Sequence, residues 1–340
     1  MALTLQRLDL DKCDWEGMDA LPDRHVFQTR EWLAFLNAAF GAEPVVCVVI
    51  EGETEVGYFT GLVTRRLGIR ILGSPLPGWT TSYMGFNLAD GVSRREAVGV
   101  LLAYAHDSLG CAHVEVRDRH LPPEPIGKSP IKQEWFETLE VDLRAEEDEL
   151  YSRMESRSRG AIRKAERAKV TVEQASDLGF ADDYYAQLQD VFANQSLSPT
   201  YGVEVVRALI EHVHPTGRLL LLRALSAEGK CIATGIFPGM NTTAYFWGGA
   251  SWRSRQIPPA NETLMWEAMR YWRRRGVTAL DLGAGEYKRK FGVQDVAVPH
   301  LVHSSLPGLG AMRGLVRLLR TSERLRRFAR MATPGSRQVP

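Results

Sequence analysis

The sequence has little of several features that identify a protein class at once. Its 340 residues include only four cysteines, Cys13, Cys47, Cys111 and Cys231, which are far apart and form no Cys-x-x-Cys pair. This spacing excludes a disulfide framework and is typical of reduced cysteines in a cytosolic protein. No apolar run approaches the roughly 18 residues that a membrane span needs. The N-terminal residues carry acids and no apolar core, so we expect a cytoplasmic protein without a secretion signal.

Signatures of metal and covalent chemistry are also missing. His212-x-His214 and His300-x-x-His303 lack companion ligands at characteristic spacings, which favours structural histidines. Neither a Gly-x-Ser-x-Gly turn nor a cysteine–histidine signature is present. The sequence therefore predicts neither a metal site nor an acyl-enzyme intermediate.

Positive and negative charges nearly balance over the whole chain, but the positive charges are concentrated in two segments. The net charge is +1, yet residues 151–170 carry +5 and residues 313–330 carry +6, which leaves −10 for the rest of the chain. Concentrated basic segments indicate a polyanionic partner, although solvated helix faces are an equal alternative. In the second segment, five arginines follow the spacing of one helical face: Arg313, Arg317, Arg320, Arg324 and Arg327. This face suits RNA, an anionic membrane surface, or a cap on the fold.

The chain contains the same pattern twice. Helix, hairpin and helix–strand signals over residues 32–63 and 98–116 recur over residues 203–237 and 262–282. We therefore predict an α+β fold with one domain over residues 1–145, a second over 146–308, and a basic amphipathic helix and tail over 309–340. An acidic first turn followed by basic turns predicts one helix over residues 150–169.

Residues 248–292 are the most informative stretch. After Pro258 and Pro259, Asn261 stands where a helix N-cap is expected, and apolar residues follow at helical spacing. Gly276 ends this helix, and a short buried strand leads into Gly-Ala-Gly and then Tyr-Lys-Arg-Lys-Phe-Gly. A strand, a helix and a parallel strand that ends in a glycine-rich turn with a lysine predict a small-molecule or phosphate site.

The order Asn-Glu-x-Leu-x-Trp-Glu-Ala-Met, Leu-Asp-Leu-Gly and Tyr-Lys-x-x-Phe-Gly resembles the second domain of FemAB/FemX-type acyltransferases. Those proteins consist of two tandem acetyltransferase-like (GNAT) domains. The resemblance implies the same fold here, in the compact form without a coiled-coil arm, and an N-acyltransferase activity. The helix, hairpin and strand–helix–strand order of both halves agrees with it.

The resemblance implies catalytic roles in the Tyr-Lys turn. Lys288 would lie beside the acyl donor and stabilise negative charge, although a basic surface turn has the same composition. Tyr287 stands where the family usually has phenylalanine, and it adds a proton donor or does nothing. Asp281, at the end of the last strand, is a weaker candidate for the base or forms a structural salt bridge.

Candidate substrate-binding residues come from three places. Arg159 and Arg163 are four residues apart and could clamp an anion from one helix face. The aromatics of a turn-rich loop over residues 73–85 either help to bind the acceptor or plug the core. The full predicted set is Arg159, Arg163, Tyr83, Trp79, Tyr245, Trp247 and Asn261.

The donor prediction depends on a missing loop. Ordinary CoA-dependent GNAT proteins bind pyrophosphate with a glycine-rich loop before this helix, whereas Pro258 and Pro259 have no N–H to give. With the resemblance and the basic segments, this favours aminoacyl-tRNA as co-substrate, and an amine of a peptidoglycan precursor, amino sugar or antibiotic as acceptor. An acyl-CoA-dependent enzyme is the alternative, and a non-catalytic RNA- or membrane-binding protein is the third.

Overall fold

The computed structural model describes residues 2–66, 68–122, 131–253 and 258–305. We call the described residues up to 145 the first half and those from 146 onward the second half. In the first half, the strands are β1 (Leu3–Arg7), β2 (Glu43–Glu51), β3 (Thr54–Arg66), β4 (Ile69–Ser74), β5 (Gly85–Leu88), β6 (His113–Arg117) and β7 (Lys132–Asp142). Its helices are α1 (Trp15–Asp19), α2 (Arg30–Phe40) and α3 (Arg94–Asp107), with a 3-10 helix at Val26–Gln28.

The second half repeats this arrangement. Its helices are α4 (Glu147–Arg153), α5 (Ser156–Arg167), α6 (Gly179–Ala193), α7 (Val203–Val213) and α8 (Asn261–Arg274), with 3-10 helices at His214–Thr216 and Glu286–Phe291. Its strands are β8 (Thr171–Gln174), β9 (Leu219–Leu225), β10 (Cys231–Met240), β11 (Thr243–Tyr245), β12 (Gly248–Ser251), β13 (Ala279–Asp281) and β14 (Gln294–Ser304). The α+β class predicted from the sequence is therefore present.

One sheet runs through both halves, and each half gives a strand to the other. The order is β1-β2-β3-β4-β6-β14-β7-β13-β11-β10-β9-β8, with β5 beside β3 and β12 beside β10. The first-half strand β7 pairs with β13, while the second-half strand β14 lies between β6 and β7. The two halves are thus interlocked through the centre of the sheet, although the domain limits at residues 145 and 308 stay predictions.

Both halves contain a parallel strand pair connected through a helix. In the first half β4 pairs with β6, and α3 connects them; in the second half β11 pairs with β13, and α8 connects them. Beyond the last paired residues, the two strands of each pair separate. We call the resulting spaces the first-half opening, after Ser74 and Val116, and the second-half opening, after Tyr245 and Asp281.

Three hydrophobic clusters hold these layers together. One lies under α3 and one under α8. The third contains side chains of both halves, because α2 and α7 pack against each other over it. Burial of apolar surface across this joint favours a fixed arrangement of the halves. Within the described residues, no helix is both long and apolar enough to cross a membrane.

Two local predictions at helix starts were wrong. The helix expected over residues 150–169 is broken at Met154 and Glu155, which have extended backbones, so α4 and α5 are separate helices. Asn261 is the first helical residue of α8 rather than its N-cap, because Ala260 takes the cap position. Its side-chain amide instead donates to the Ser251 hydroxyl, 3.0 Å away. The helix predicted beyond residue 308 lies outside the described residues.

Candidate active site

The second-half opening forms where the chain leaves β11. The N–H of Phe246 donates to the Asp281 carbonyl at 2.8 Å, and the next N–H, of Trp247, donates to Ile236 on β10 at 3.0 Å. The chain therefore turns toward β10, while β13 continues in its own direction into residues 283–285. The 3-10 helix Glu286–Phe291 follows this turn. It presents Lys288 at the opening.

Lys288 is a buried cation. Only 8% of the residue is exposed, and its Nζ donates to the Leu282 carbonyl. The same Nζ lies 5.2 Å from the ring centroid of Phe246 and 5.6 Å from that of Tyr287. No carboxylate in the described part of the chain forms an ion pair with it. Burial lowers the pKa of Lys288 to about 8, against the opposing effect of nearby Asp281.

Glycines make the turn before Lys288 possible. Gly283 has φ +69° and Gly285 has φ +134°, backbone conformations that L side chains rarely adopt. A Cβ at Gly285 would also lie 3.1 Å from the Tyr287 ring. The Gly-Ala-Gly sequence is therefore required by the turn that brings Lys288 back toward Leu282.

Asp281 is held by its neighbours. It is 1% exposed, and its carboxylate accepts from the Thr138 hydroxyl on β7 and from the Gly283 N–H at 2.7 Å. Burial raises the pKa of Asp281, although these hydrogen bonds oppose the shift. Both hydrogen bonds are accepted by Oδ1, while Oδ2 is buried without a hydrogen-bond partner among the described residues. This geometry favours a positioning role for Asp281, which fixes the Gly283 turn. It favours that role more than the role of catalytic base that the sequence suggested.

A buried polar cluster adjoins Asp281 at the joint of the halves. Arg119, just after β6, donates to the Tyr83 hydroxyl at 2.6 Å and pairs with Glu140 at 2.8 Å. The Tyr83 ring also packs against that of Tyr245, with 5.6 Å between the ring centroids. Burial raises the pKa values of Tyr83 and Tyr245, so both phenols stay neutral near pH 7.

His25 completes this cluster. Its ring lies edge-on to Tyr83, with 5.1 Å between centroids. Burial, and then the charges of Arg119 and Arg24, lower its pKa well below the usual value. His25, Arg119 and Glu140 are not among the site residues predicted from the sequence. The sequence pattern that could have indicated Arg119 was the charged run of residues 117–120 at the end of a buried strand.

The predicted aromatic residues divide into buried and accessible ones. Trp79, Tyr83 and Tyr245 are at most 3% exposed and belong to the cluster shared by both halves. Burial of Trp79 and Tyr83 favours the core plug that the sequence left open as an alternative for the loop over residues 73–85. Trp247 is half-buried, and its ring centroid lies 5.7 Å from that of Tyr201. Tyr287 is 64% exposed beside Lys288.

The predicted arginine clamp is not formed. The Arg159 guanidinium donates to the carbonyl of Ser152, at 2.8 Å, and to that of Met154. It is therefore occupied at the end of α4, because the helix break leaves carbonyl groups there that need donors. Arg163 is exposed on α5 and remains available to a ligand.

Two cavities lie away from this site. They have volumes of about 300 and 260 Å³ and are lined by residues of β8, β9 and α8, including Gln174 and Tyr271. None of the residues predicted from the sequence lines them. The candidate site is therefore identified by its functional groups, above all Lys288, and not by the volume of a cavity.

The first-half opening has different contents. Asp118 is 1% exposed, and its carboxylate accepts from the N–H groups of Phe86 and His120 and pairs with Arg94 at 2.9 Å. Gly85 has φ +90°, and a Cβ there would lie 2.5 Å from Asp118. The space next to β4 and β6 is thus filled by Asp118 and its partner Arg94, which also pairs with Asp23 at 2.9 Å.

Comparisons with known proteins agree with this architecture. Residues 152–290 match the family model described as the acetyltransferase (GNAT) domain. The crystal structure of FemX superposes with a TM-score of 0.66 at 13% identity, covering 86% of this chain and 96% of FemX. No curated protein sequence matches the chain.

Two further structures share the fold. A tandem GNAT protein from the clavulanic acid biosynthesis pathway has a TM-score of 0.50 at 12% identity, covering 90% of this chain and 99% of that protein. L-PGS from Bacillus licheniformis has the same TM-score and identity, covering 84% and 90%. The chain therefore has a tandem GNAT fold of the FemX type. The resemblance and the fold class predicted from the sequence are confirmed.

Proposed function

We propose that this protein is an N-acyltransferase that uses the second-half opening and takes its acyl group from aminoacyl-tRNA. The observation that carries the proposal is Lys288, a buried ammonium at the separated ends of β11 and β13 that forms no ion pair with a carboxylate of the described residues. Strongly perturbed groups of this kind concentrate at functional sites. The match of residues 152–290 to a GNAT domain supports an acyl-transfer role for the same half.

The reaction follows from the charge on Lys288. The acceptor amine attacks the ester carbonyl and forms a C–N bond, and negative charge develops on the carbonyl oxygen. The C–O ester bond then breaks, the ribose oxygen leaves, and it takes up the proton that the amine releases. A fixed ammonium stabilises both oxygens, which is typically worth about 10²–10³ in rate. With a pKa of about 8, Lys288 is about nine-tenths protonated at pH 7.

Neighbouring residues supply position. Asp281 holds the turn that aims Lys288, and Thr138 holds Asp281 from the first-half strand β7. Tyr287 is exposed beside the ammonium, where it positions the donor or gives a proton to the leaving oxygen. Trp247 contributes the accessible aromatic surface for the acceptor.

The start of α8 supports an RNA-borne donor. Pro258 and Pro259 precede the helix, and Glu262 in its first turn forms an ion pair with Lys290. The first turn of α8 therefore carries a negative charge at the helix end where such charge is favourable, and this charge would oppose a CoA pyrophosphate there. The FemX-type fold is consistent with the aminoacyl-tRNA donor implied by the sequence resemblance.

The test offers both donors to the purified protein. Bacterial tRNA charged with labelled amino acids, or labelled acetyl-CoA, is incubated with amine acceptors: a peptidoglycan precursor peptide, amino sugars and an aminoglycoside. Mild alkali then hydrolyses the remaining ester and leaves an amide intact. We expect alkali-stable product from charged tRNA. Product from acetyl-CoA alone would establish the thioester-dependent alternative and contradict the proposal.

A further inference from the structure

The outer side of α5 carries cations without counter-ions. Arg163, Lys164, Arg167 and the following Lys169 are all exposed, and none pairs with a carboxylate of the described residues. Other arginines of the second half are used differently: Arg153 pairs with Glu149, Arg223 with Asp177 and Asp183, Arg270 with Glu147 and Glu267, and Arg289 with Glu286 and Asp295. Single exposed cations such as Lys230 and Arg275 also lack a carboxylate partner in the described residues, but α5 groups four within seven positions.

The charge of this surface is concentrated over two turns. Arg163 and Arg167 are four residues apart and share a helix face, and Lys164 lies next to them. Glu166 is the exposed acid in the same stretch, so residues 163–169 carry a net charge of +3. The opposite face of α5 is fixed, because Ile162 and Ala165 are buried beneath it. The helix thus presents these cations from a rigid support.

This surface is connected to the element that carries Lys288. The N–H of Glu155, at the start of α5, donates to the Lys290 carbonyl at 2.9 Å. Gly292, just past the 3-10 helix, packs against the Arg153 backbone so closely that a Cβ there would lie 2.9 Å from it. The start of α5 therefore lies beside the element that carries Lys288, and the cations at 163–167 follow about two to three turns further along the same helix.

The composition of the surface favours RNA over a membrane. A helix that binds a lipid surface buries an apolar face in the bilayer, whereas the exposed residues of α5 are charged or small and polar, and its apolar residues face the core. Exposed Lys and Arg side chains along one face are suited to a phosphodiester backbone. We propose that α5, through Arg163, Lys164 and Arg167, binds the backbone of the RNA that carries the acyl group. The inference rests on the proposed function for the identity of that RNA.

The test measures binding of uncharged tRNA, which needs no turnover. Fluorescence anisotropy with labelled bulk bacterial tRNA is recorded over a salt series for the wild type and for Arg163→Glu/Lys164→Glu/Arg167→Glu. Arg65→Glu/Arg66→Glu/Arg95→Glu is the matched control, because it makes the same charge change at exposed first-half positions that pair with no carboxylate of the described residues. Circular dichroism and Tm verify that both variants fold.

We expect the α5 variant to raise Kd at least about tenfold at about 0.1 M salt, and to flatten the slope of log Kd against log salt by about 2 to 3. The control should stay within about threefold of the wild type. Arg163→Lys/Arg167→Lys should restore binding, because a phosphate contact needs charge rather than a guanidinium. Equal effects of the two triple variants would overturn the inference.

Two further outcomes separate this inference from the proposed function. If the wild type transfers amino acids and the α5 variant binds tRNA normally, the α5 surface is wrong while the function stands. If tRNA binding depends on α5 but no aminoacyl transfer occurs, the surface stands and the function fails. Loss of binding to phosphatidylglycerol vesicles with unchanged tRNA binding would assign α5 to a membrane and overturn the inference.

Discussion

The two openings of this molecule have the same backbone plan and opposite contents. In the first half, the space after β4 and β6 contains Asp118, whose charge is balanced by Arg94 and by two backbone N–H groups. In the second half, the space after β11 and β13 contains Lys288, whose hydrogen bond goes to a neutral carbonyl. A duplicated fold has thus kept one opening neutralised and the other charged.

This difference indicates where chemistry takes place. Burying a charge costs free energy unless a partner compensates it. Asp118 has its partner, so the first-half opening is explained by stability. Lys288 has no counter-ion among the described residues, and the negative charge that develops in acyl transfer would supply one.

The largest effect is expected for Lys288→Ala. Loss of the ammonium should lower kcat for transfer by about 10²–10³. The Tm should not fall in proportion, because an uncompensated buried charge is removed. Lys230→Ala, at an exposed turn, is the control and should leave kcat unchanged. Full activity of the Lys288→Ala protein would exclude the proposed role.

Asp118→Ala should act on stability instead. Removing one partner of a buried ion pair typically costs about 3–5 kcal/mol in the free energy of unfolding, which chemical denaturation measures. Asp90→Ala, an exposed carboxylate nearby, is the control. The folded fraction of the Asp118→Ala protein should retain its kcat. A rise in KM without loss of stability would instead place substrate in the first-half opening.

The pH dependence should report Lys288 directly. The protonated form is the active one, and burial places its pKa at about 8. The rate of transfer should therefore fall as the pH rises through about 8, because Lys288 loses its proton there, which gives the pH–rate profile a descending alkaline limb. Lys288→Arg should move this limb to higher pH, because a guanidinium stays charged. A limb that is identical in both proteins would belong to another group, such as the acceptor amine.

Asp281→Asn should have a moderate effect on the pH at which the alkaline limb of the transfer rate falls. The charge of Asp281 raises the pKa of Lys288, so its removal should move the limb to lower pH. Thr138→Val removes a hydrogen bond to Asp281 without changing charge and serves as the comparison. A loss of kcat at every pH with an unmoved limb would favour the catalytic base suggested by the sequence.

Tyr287→Phe should have the smallest effect. The residue is 64% exposed, so water can replace its hydroxyl, and we expect a change in kcat of less than about tenfold, below the usual range for a general acid. A steady-state assay with Tyr58→Phe as control measures it. A loss of about 10²-fold or more would make Tyr287 the proton donor.

Local features of the fold were predictable from the sequence. The helix over residues 32–40 ends at Gly41, as expected, because a left-handed cap favours glycine there. The helix over 203–213 has the predicted limits, and its buried face follows the apolar spacing. The break at Met154 was not predictable from turn residues, since neither glycine nor proline marks it.

Long-range features were not available from local patterns. The exchange of β7 and β14 joins strands far apart in the sequence, and no periodicity reports such a pairing. The meeting of His25, Arg119 and Glu140 depends on that exchange. For the same reason the aromatics Trp79, Tyr83 and Tyr245 could be recognised as important without showing that they are buried. The position of Lys288 could be predicted because its turn is local and resembles a known motif.

The central claim is tested most directly by aminoacyl transfer measured in parallel for the wild type, Lys288→Ala and Asp118→Ala, per mole of folded protein. We expect Lys288→Ala to lose at least about 10² in rate and Asp118→Ala to keep the wild-type rate. Normal transfer by Lys288→Ala together with loss of transfer by Asp118→Ala would place the chemistry in the first-half opening and contradict the account.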